Sequence, residues 1–513
     1  MDPAEARSDG LAKFPNEIMV SIFEHVLEPD PTAEIGGLFT LTLSHVCSVW
    51  RDLTWATPML WSSPTFNPCH PDDLIALFFD NSQDIPVSLS LQHAERSAHA
   101  KLQKILKERP GKLGALYWNS IDSRGWANLC EILAIGLPKL RRCQLFIRGN
   151  GLPTDKETVV ASLPSLYCLD LVHESGLIPP IFPLANITIL QLQYVRPDYA
   201  LNALLQCEKL ERFYSTSYDW PSDTSQGQFL HVLAQGVTVL PNLIYLAWTL
   251  DESVWTTHLV ENVKLPSLRK LVLHSPPHRG FLEAMNSSST QRLALSFINS
   301  MPQLNELSCF STCLQPTSTP SPEDNLFWSS LPRSIEKLSI EFIGPTSTSE
   351  NLSSHLDIIF DRLTLRRQQV VLPNLKTLYV DKASWIPTTT GNNGMYDSLS
   401  STVLNRAFQS FLAVVASRRH ARLDTELIST SYSQIQHITI STTLRKWNPF
   451  PDVATMDESE RELKRYVREG FKLEILISNG RTILWGTGDE SIPKRDPILE
   501  LYPTAQIVYQ MTL

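Results

Sequence analysis

The sequence is short of positive charge, of cysteine and of long apolar runs, and each shortage removes a class of protein. Against 53 Asp and Glu stand only 44 Lys and Arg, a formal net charge of −9 over 513 residues. A nucleic-acid binder needs a basic face to neutralise phosphates, and this balance does not supply one. Eight cysteines in so long a chain do not form a disulfide framework. Most, such as Cys143, Cys168 and Cys309, sit in strand-like apolar segments, where a thiol behaves as a small hydrophobe. No apolar run approaches membrane-spanning length, and the opening MDPAEARSDG is polar rather than signal-like. The expectation is a chain of the cytoplasm or nucleus, with neither nucleic acid nor membrane as a partner.

Catalytic motifs are missing too. The chain has no Gly-rich phosphate loop, no GxSxG elbow and no HExxH pair. Cys69-His70 and the Cys309/Cys313 pair have no second matching pair at metal-ligand spacing, so no metal and no cofactor is expected. The chain is not expected to be an enzyme.

What is present is apolar and ordered. Hydrophobic residues make up 42%, including 12 Trp and 20 Phe, enough for a sizeable core. From Leu11 to Trp61 the chain reads as a helical module. Pro15 suits the first turn of a helix. Ile18, Ile22 and Val26 then form one helical row, and Met19, Phe23 and Leu27 the neighbouring one. Pro29 and Pro31 end that helix, and a second is predicted from Leu38 to about Thr54. A unit of some fifty residues buries a low fraction of its surface, so its large apolar residues call for cover from elsewhere.

The ordered features Phe14-Pro15-x-Glu17-Ile18, Ile22-Phe23, Leu41, Ser44-x-Val46-Cys47-x-x-Trp50-Arg51-x-Leu53 and Thr57-Pro58-x-Leu60-Trp61 resemble the F-box, in the form abundant in mushroom-forming fungi. The match covers about a tenth of the chain. It departs from the family in carrying Phe14 where Leu is usual and in a long connection from Glu28 to Gly37. The resemblance implies docking to a Skp-type adaptor, and through it to a cullin, with Phe14, Pro15, Ile18, Ile22, Leu41, Val46, Trp50 and Leu60 as docking-module residues. The remaining chain would recruit a protein substrate.

Beyond residue 66 a local signature recurs, Leu-Pro-x-Leu-x-x-Leu-x-Leu or a relaxed form. Copies begin at Leu137, Leu163, Leu240, Leu265, Met301 and Leu372, with looser ones at Pro183, Cys207 and Leu331. The x-Leu-x-Leu alternation predicts a short half-buried strand. The first inward residues (Leu140, Leu166, Ile187, Leu210, Leu243, Leu268, Leu304, Ile335, Leu375) recur at 21 to 40 residues. Recurrence on that scale points to leucine-rich-repeat-like units with insertions.

The predicted fold is therefore α/β. Residues 1–10 form a disordered start, 11–66 the F-box-like module, 67–402 an irregular leucine-rich-repeat-like solenoid, and 403–513 a cap. In the cap a helix over 403–418 precedes two strands flanking Asn479-Gly480, a strong hairpin signal. The Ser/Thr/Pro-rich stretch 313–323 and the stretch 386–402 read as loops.

In each repeat strand the residues between the inward leucines face the open side of the sheet. One row reads Gln144, Asp170, Gln191, Tyr214, Ala247, Val272, Ser308, Ser339, Tyr379; the next reads Phe146, Val172, Gln193, Thr216, Thr249, His274, Phe310, Glu341, Asp381. Phe146, Asp170, Tyr214, His274, Phe310 and Tyr379 are the candidate substrate-binding residues, as aromatic and polar anchors. The competing reading is a repeat scaffold without a ubiquitin role, whose N-terminal helices cap the array.

Overall fold

A computed structural model describes residues 14–27, 39–66, 73–92, 96–148, 163–173, 182–217, 233–234, 236–251, 253–274, 288–310, 328–341, 359–364, 371–381, 410–418, 433–442, 461–462, 465–466, 468–477 and 482–485. The start at 1–10, both predicted loops, Cys69-His70, Cys313 and the Asn479-Gly480 turn lie outside them. The chain divides into two compact units. One holds residues 1–195 with 206–210 and 491–513, and the other holds 196–205 with 211–490.

The first unit opens with α1 (Asn16–Leu27), α2 (Phe39–Val46) and α3 (Ser48–Ala56). The single helix expected over Leu38–Thr54 is in fact α2 and α3. Cys47 breaks it, with φ −158° and ψ 172°, and its Sγ accepts the Trp50 amide at 3.5 Å, capping α3. A capping side chain in an extended residue ends one helix and starts the next. Phe23 meets Trp50 edge-on at 4.8 Å, tying α1 to α3.

This module is joined to the start of the sheet. Trp61 is fully buried, donates its Nε1–H to the Thr54 carbonyl at 2.9 Å and meets Phe78 of α4 (Asp73–Asn81) at 5.1 Å. Residues 65–66 are already sheet. β1 (Thr65–Phe66) pairs with β2 (Val87–Gln92), so the module's edge lies before β1 and not at residue 66.

A parallel sheet continues through β3 (Leu113–Ile121), β4 (Arg142–Ile147), β5 (Cys168–His173) and β6 (Ile189–Gln193). The helices α5 (Arg96–Glu108) and α6 (Ser123–Leu133) join α4 among its crossovers. His99 of α5 lies 4.7 Å from Trp118 of β3, which puts α5 on the face carrying Trp118, Leu145 and Leu171.

The second unit repeats the plan with α7 (Pro197–Gln206), β7 (Arg212–Thr216), β8 (Thr238–Val239), β9 (Tyr245–Thr249), α8 (Val254–Asn262), β10 (Val263–Lys264), β11 (Lys270–His274), α9 (Ser288–Asn299), β12 (Glu306–Phe310), β13 (Lys337–Glu341) and β14 (Thr377–Asp381). Strand β9 lies between β7 and β11, and β11 to β14 come in chain order, all parallel. β8 and β10 form a separate parallel pair.

Beyond residue 403 the strands are both parallel and antiparallel. β15 (His437–Thr442) pairs parallel with β14, and β16 (Lys472–Ile477) pairs parallel with β15. Only β17 (Thr482–Trp485) runs antiparallel, completing the expected hairpin with β16. Local alternation marks a strand without choosing the direction of its partner, which is why 403 looked like a change of architecture.

All nine copies of the signature fall on strands, and the prefix has a common geometry. The amide of Leu140 donates to the carbonyl of Leu137 at 3.1 Å, and Leu166, Ile187, Leu210, Leu268, Leu304, Ile335 and Leu375 make the same i to i+3 bond. In five of these eight bends proline holds the second position (Pro138, Pro164, Pro266, Pro302, Pro373) and presets φ for a turn whose fourth residue points inward. Each of the nine inward residues is buried.

Candidate functional site

Two surfaces collect the residues singled out from sequence. The first is the outer side of α1. Its two rows have opposite fates: Met19 and Phe23 are 6% and 1% exposed, whereas Ile18, Ile22 and Val26 are 47%, 46% and 53% exposed. Phe14, one turn earlier, and Val46, at the end of α2, are exposed as well. Pro15 is exposed, and its carbonyl accepts the amides of Ile18 and Met19, starting the helix.

Leu41 and Trp50 are half-buried, and Leu60 is buried. Leu60 therefore holds the module together, and its carbonyl accepts the Thr40 hydroxyl at 2.7 Å. Val26, Val49, Trp55 and Met59 are exposed apolar residues outside the predicted set. The i, i+4 spacing from Ile22 already marked Val26. The others depend on how α3 and the turn after it are rotated, which spacing alone does not give.

The second surface is the sheet face opposite the inward leucines. The predicted rows match the register within each unit. Gln144 pairs with Asp170 and Asp170 with Gln191; Tyr214, Ala247, Val272, Ser308, Ser339 and Tyr379 are successive partners in the second unit. Tyr214 and His274 come together, their rings 5.3 Å apart and edge-on, with the buried Ala247 on the strand between. Tyr379, three strands from β11, is half-buried. Phe310 is on β12, but its side chain is outside the described residues. Phe146 is half-buried on β4, with the Arg148 guanidinium 5.2 Å from its ring centre.

Charges on this face are arranged in the second unit as a ladder. Lys270 and Lys337 flank Glu306 from the neighbouring strands, at 3.6 Å and 2.5 Å. Cross-strand pairs of opposite sign stabilise a sheet modestly.

In the first unit no such counter-charge faces Asp170 among the described residues. Burial pushes its carboxyl up to about 7. On the other face of β5, burial pulls His173 down to about 4. Burial also pushes Cys143 and Cys168 upward, so neither is an activated thiolate.

Among the described residues no group of three or more His, Cys, Asp or Glu is placed to hold a metal, and no helix is long and apolar enough to cross a membrane. No protein-family model matches the chain, and no curated protein matches it.

Proposed function

We propose that the chain is a non-catalytic substrate receptor of a cullin-RING (SCF-type) ubiquitin ligase. The outer row of α1 docks a Skp-type adaptor, which links the chain to a cullin. The strand units stack as an irregular leucine-rich-repeat-like solenoid, and its open face presents a protein substrate. The ligase gains rate by proximity, because holding a substrate near the charged ubiquitin carrier raises the effective concentration of its lysines.

The observation that carries this reading is the exposed Ile18/Ile22/Val26 row beside the buried Met19/Phe23 row. A short helix needs only one apolar stripe to pack on its own chain, and a second, outward stripe is placed for a helix-sized partner. The ordered F-box-like features support the adaptor as that partner.

The test mixes the purified full-length chain with a Skp-type adaptor and tracks the complex by size-exclusion chromatography. Wild type forms a stable complex. Ile22→Asp loses it while keeping a native circular dichroism spectrum, because Ile22 faces away from the core. Trp50→Ala serves as a fold control, since Trp50 packs on Phe23. A wild-type chain that forms no complex removes the ligase reading.

One observation favours a scaffold reading instead: Trp61 and Phe66 both pack on Phe78, so the helices are seated on the start of the sheet as a cap would be. Under that reading Ile22→Asp is silent in every binding assay.

A further inference from the structure

On the outer face of the first unit's sheet, three neighbouring side chains carry buried polar atoms that have no partner among the described residues. Gln191 is 2% exposed and Gln193 3% exposed. Neither polar atom of Gln191, nor Gln193 Nε2, nor Asp170 Oδ1 has a hydrogen-bond partner among the described residues. Asp170 and Gln191 are register partners on β5 and β6, and Gln193 is two residues along β6 on the same face. Adjacent strands lie about 4.8 Å apart, so the three side chains share one patch.

Folding ordinarily removes such groups, because a buried polar atom left unpaired costs about 1–3 kcal/mol. The patch also has an open end. Along the row, Tyr117, Gln144 and Asp170 are half-buried, and burial closes only at Gln191. The nearest arginines on this face are engaged elsewhere: Arg142 donates to the Tyr167 hydroxyl at 3.0 Å, and Arg148 lies over Phe146.

We propose that Asp170, Gln191 and Gln193 anchor a peptide-binding site that selects a lysine or arginine side chain. The cation enters from the Gln144 side and meets Asp170 Oδ1. The two glutamines pair with the peptide groups flanking it, since an amide side chain offers both a donor and an acceptor to a peptide bond. A carboxylate without a counter-charge calls for a cation, and paired amides beside it call for a backbone rather than a free amine. This inference deepens the substrate half of the proposed function and rests on it.

The test presents full-length chain to degenerate peptide libraries carrying a fixed central Lys, Arg, Glu or norleucine. The basic libraries are retained at least about tenfold over the other two, the scale of one charge-assisted contact. Asp170→Asn abolishes that preference, Gln191→Leu weakens the retention of all four libraries alike, and neither lowers the melting temperature, because the first removes an uncompensated buried charge and the second an unpaired buried amide. A lack of basic preference in wild type overturns the site, as does a preference that persists in Asp170→Asn. Lower melting temperatures in both variants also overturn it, by showing that the atoms are paired within the fold. Ile22→Asp separates the two claims: it loses the adaptor and keeps the peptide preference. A chain that binds adaptor and shows no preference loses this site alone.

Discussion

The first helix and the sheet treat water in opposite ways. Along the second unit's strands the inward positions are buried leucines, and the outward positions include Lys270, Glu306 and Lys337, paired across strands. Water and counter-charge satisfy that face without help. Along α1 both neighbouring rows are apolar, and only one is covered. The contrast teaches what each surface leaves to water: a polar outward row is satisfied by solvent and counter-charge, whereas Ile18, Ile22 and Val26 leave apolar area exposed. On the first unit's sheet Asp170 is an outward acid that no counter-charge faces among the described residues.

The largest effect comes from cutting the junction where helices and sheet meet. Trp61→Ala removes a fully buried ring from between Trp55 and Phe78 and leaves the Thr54 carbonyl without its indole donor. Chemical denaturation is expected to show a loss of about 3–5 kcal/mol. If α1 to α3 were an independent appendage, the sheet's unfolding midpoint would not move.

Next, one substitution on each face of the second unit's sheet measures how unequal the faces are. Leu271→Ala opens a cavity in the core and is expected to cost about 2–5 kcal/mol by the same measurement. Glu306→Ala, on the outward face, breaks two half-exposed pairs and is expected to cost under about 1 kcal/mol, falling further in high salt. Equal costs would mean that the outward face is covered too.

The smallest effect is a slope. Asp170 is raised from 3.8 to about 7 in the folded chain, so folding favours its protonated form. Its contribution to stability is intact below 3.8 and is lost as pH rises towards about 7. Asp170→Asn is expected to flatten that part of a melting-temperature-against-pH curve. His173 has the opposite sign: lowered from 6.5 to about 4, it contributes stability above 6.5 that is lost as pH falls through about 4. Asp170→Asn leaves the His173 fall in place, and a curve unchanged by the substitution removes the buried-carboxylate reading.

Much of the fold was legible because its signals are local. Leucine-proline and then alternation encode a turn and a strand within nine residues, and all nine copies form strands. Two helices of the second unit escaped notice for a physical reason. In α7, Asp198 through Leu204 are all buried, and in α8 Trp255, Thr256, His258, Leu259 and Val260 are buried. In α7 coverage nearly all round leaves no stripe to show the period, and in α8 the buried side mixes polar Thr256 and His258 with Trp255, Leu259 and Val260, which blurs the stripe. The buried Asp198 is held by Arg196 through two bonds, at 3.0 Å and 2.6 Å, a pairing that composition could not reveal. The outward row of α1 was partly legible: spacing grouped Ile18 and Ile22, which are exposed, whereas Leu60 has the same apolar character and is buried.

By itself, the sequence determined the α/β class, the positions of the repeated strands and which residues share a row on the sheet, because these depend on spacing and turn chemistry over a few residues. Only the tertiary structure decided which of the two rows on α1 faces water, that β15 and β16 extend the parallel sheet, and that Asp170, Gln191 and Gln193 bring together buried polar atoms with no partner among the described residues. Each of those depends on what packs against a segment from far along the chain, and no local pattern of side chains carries that information.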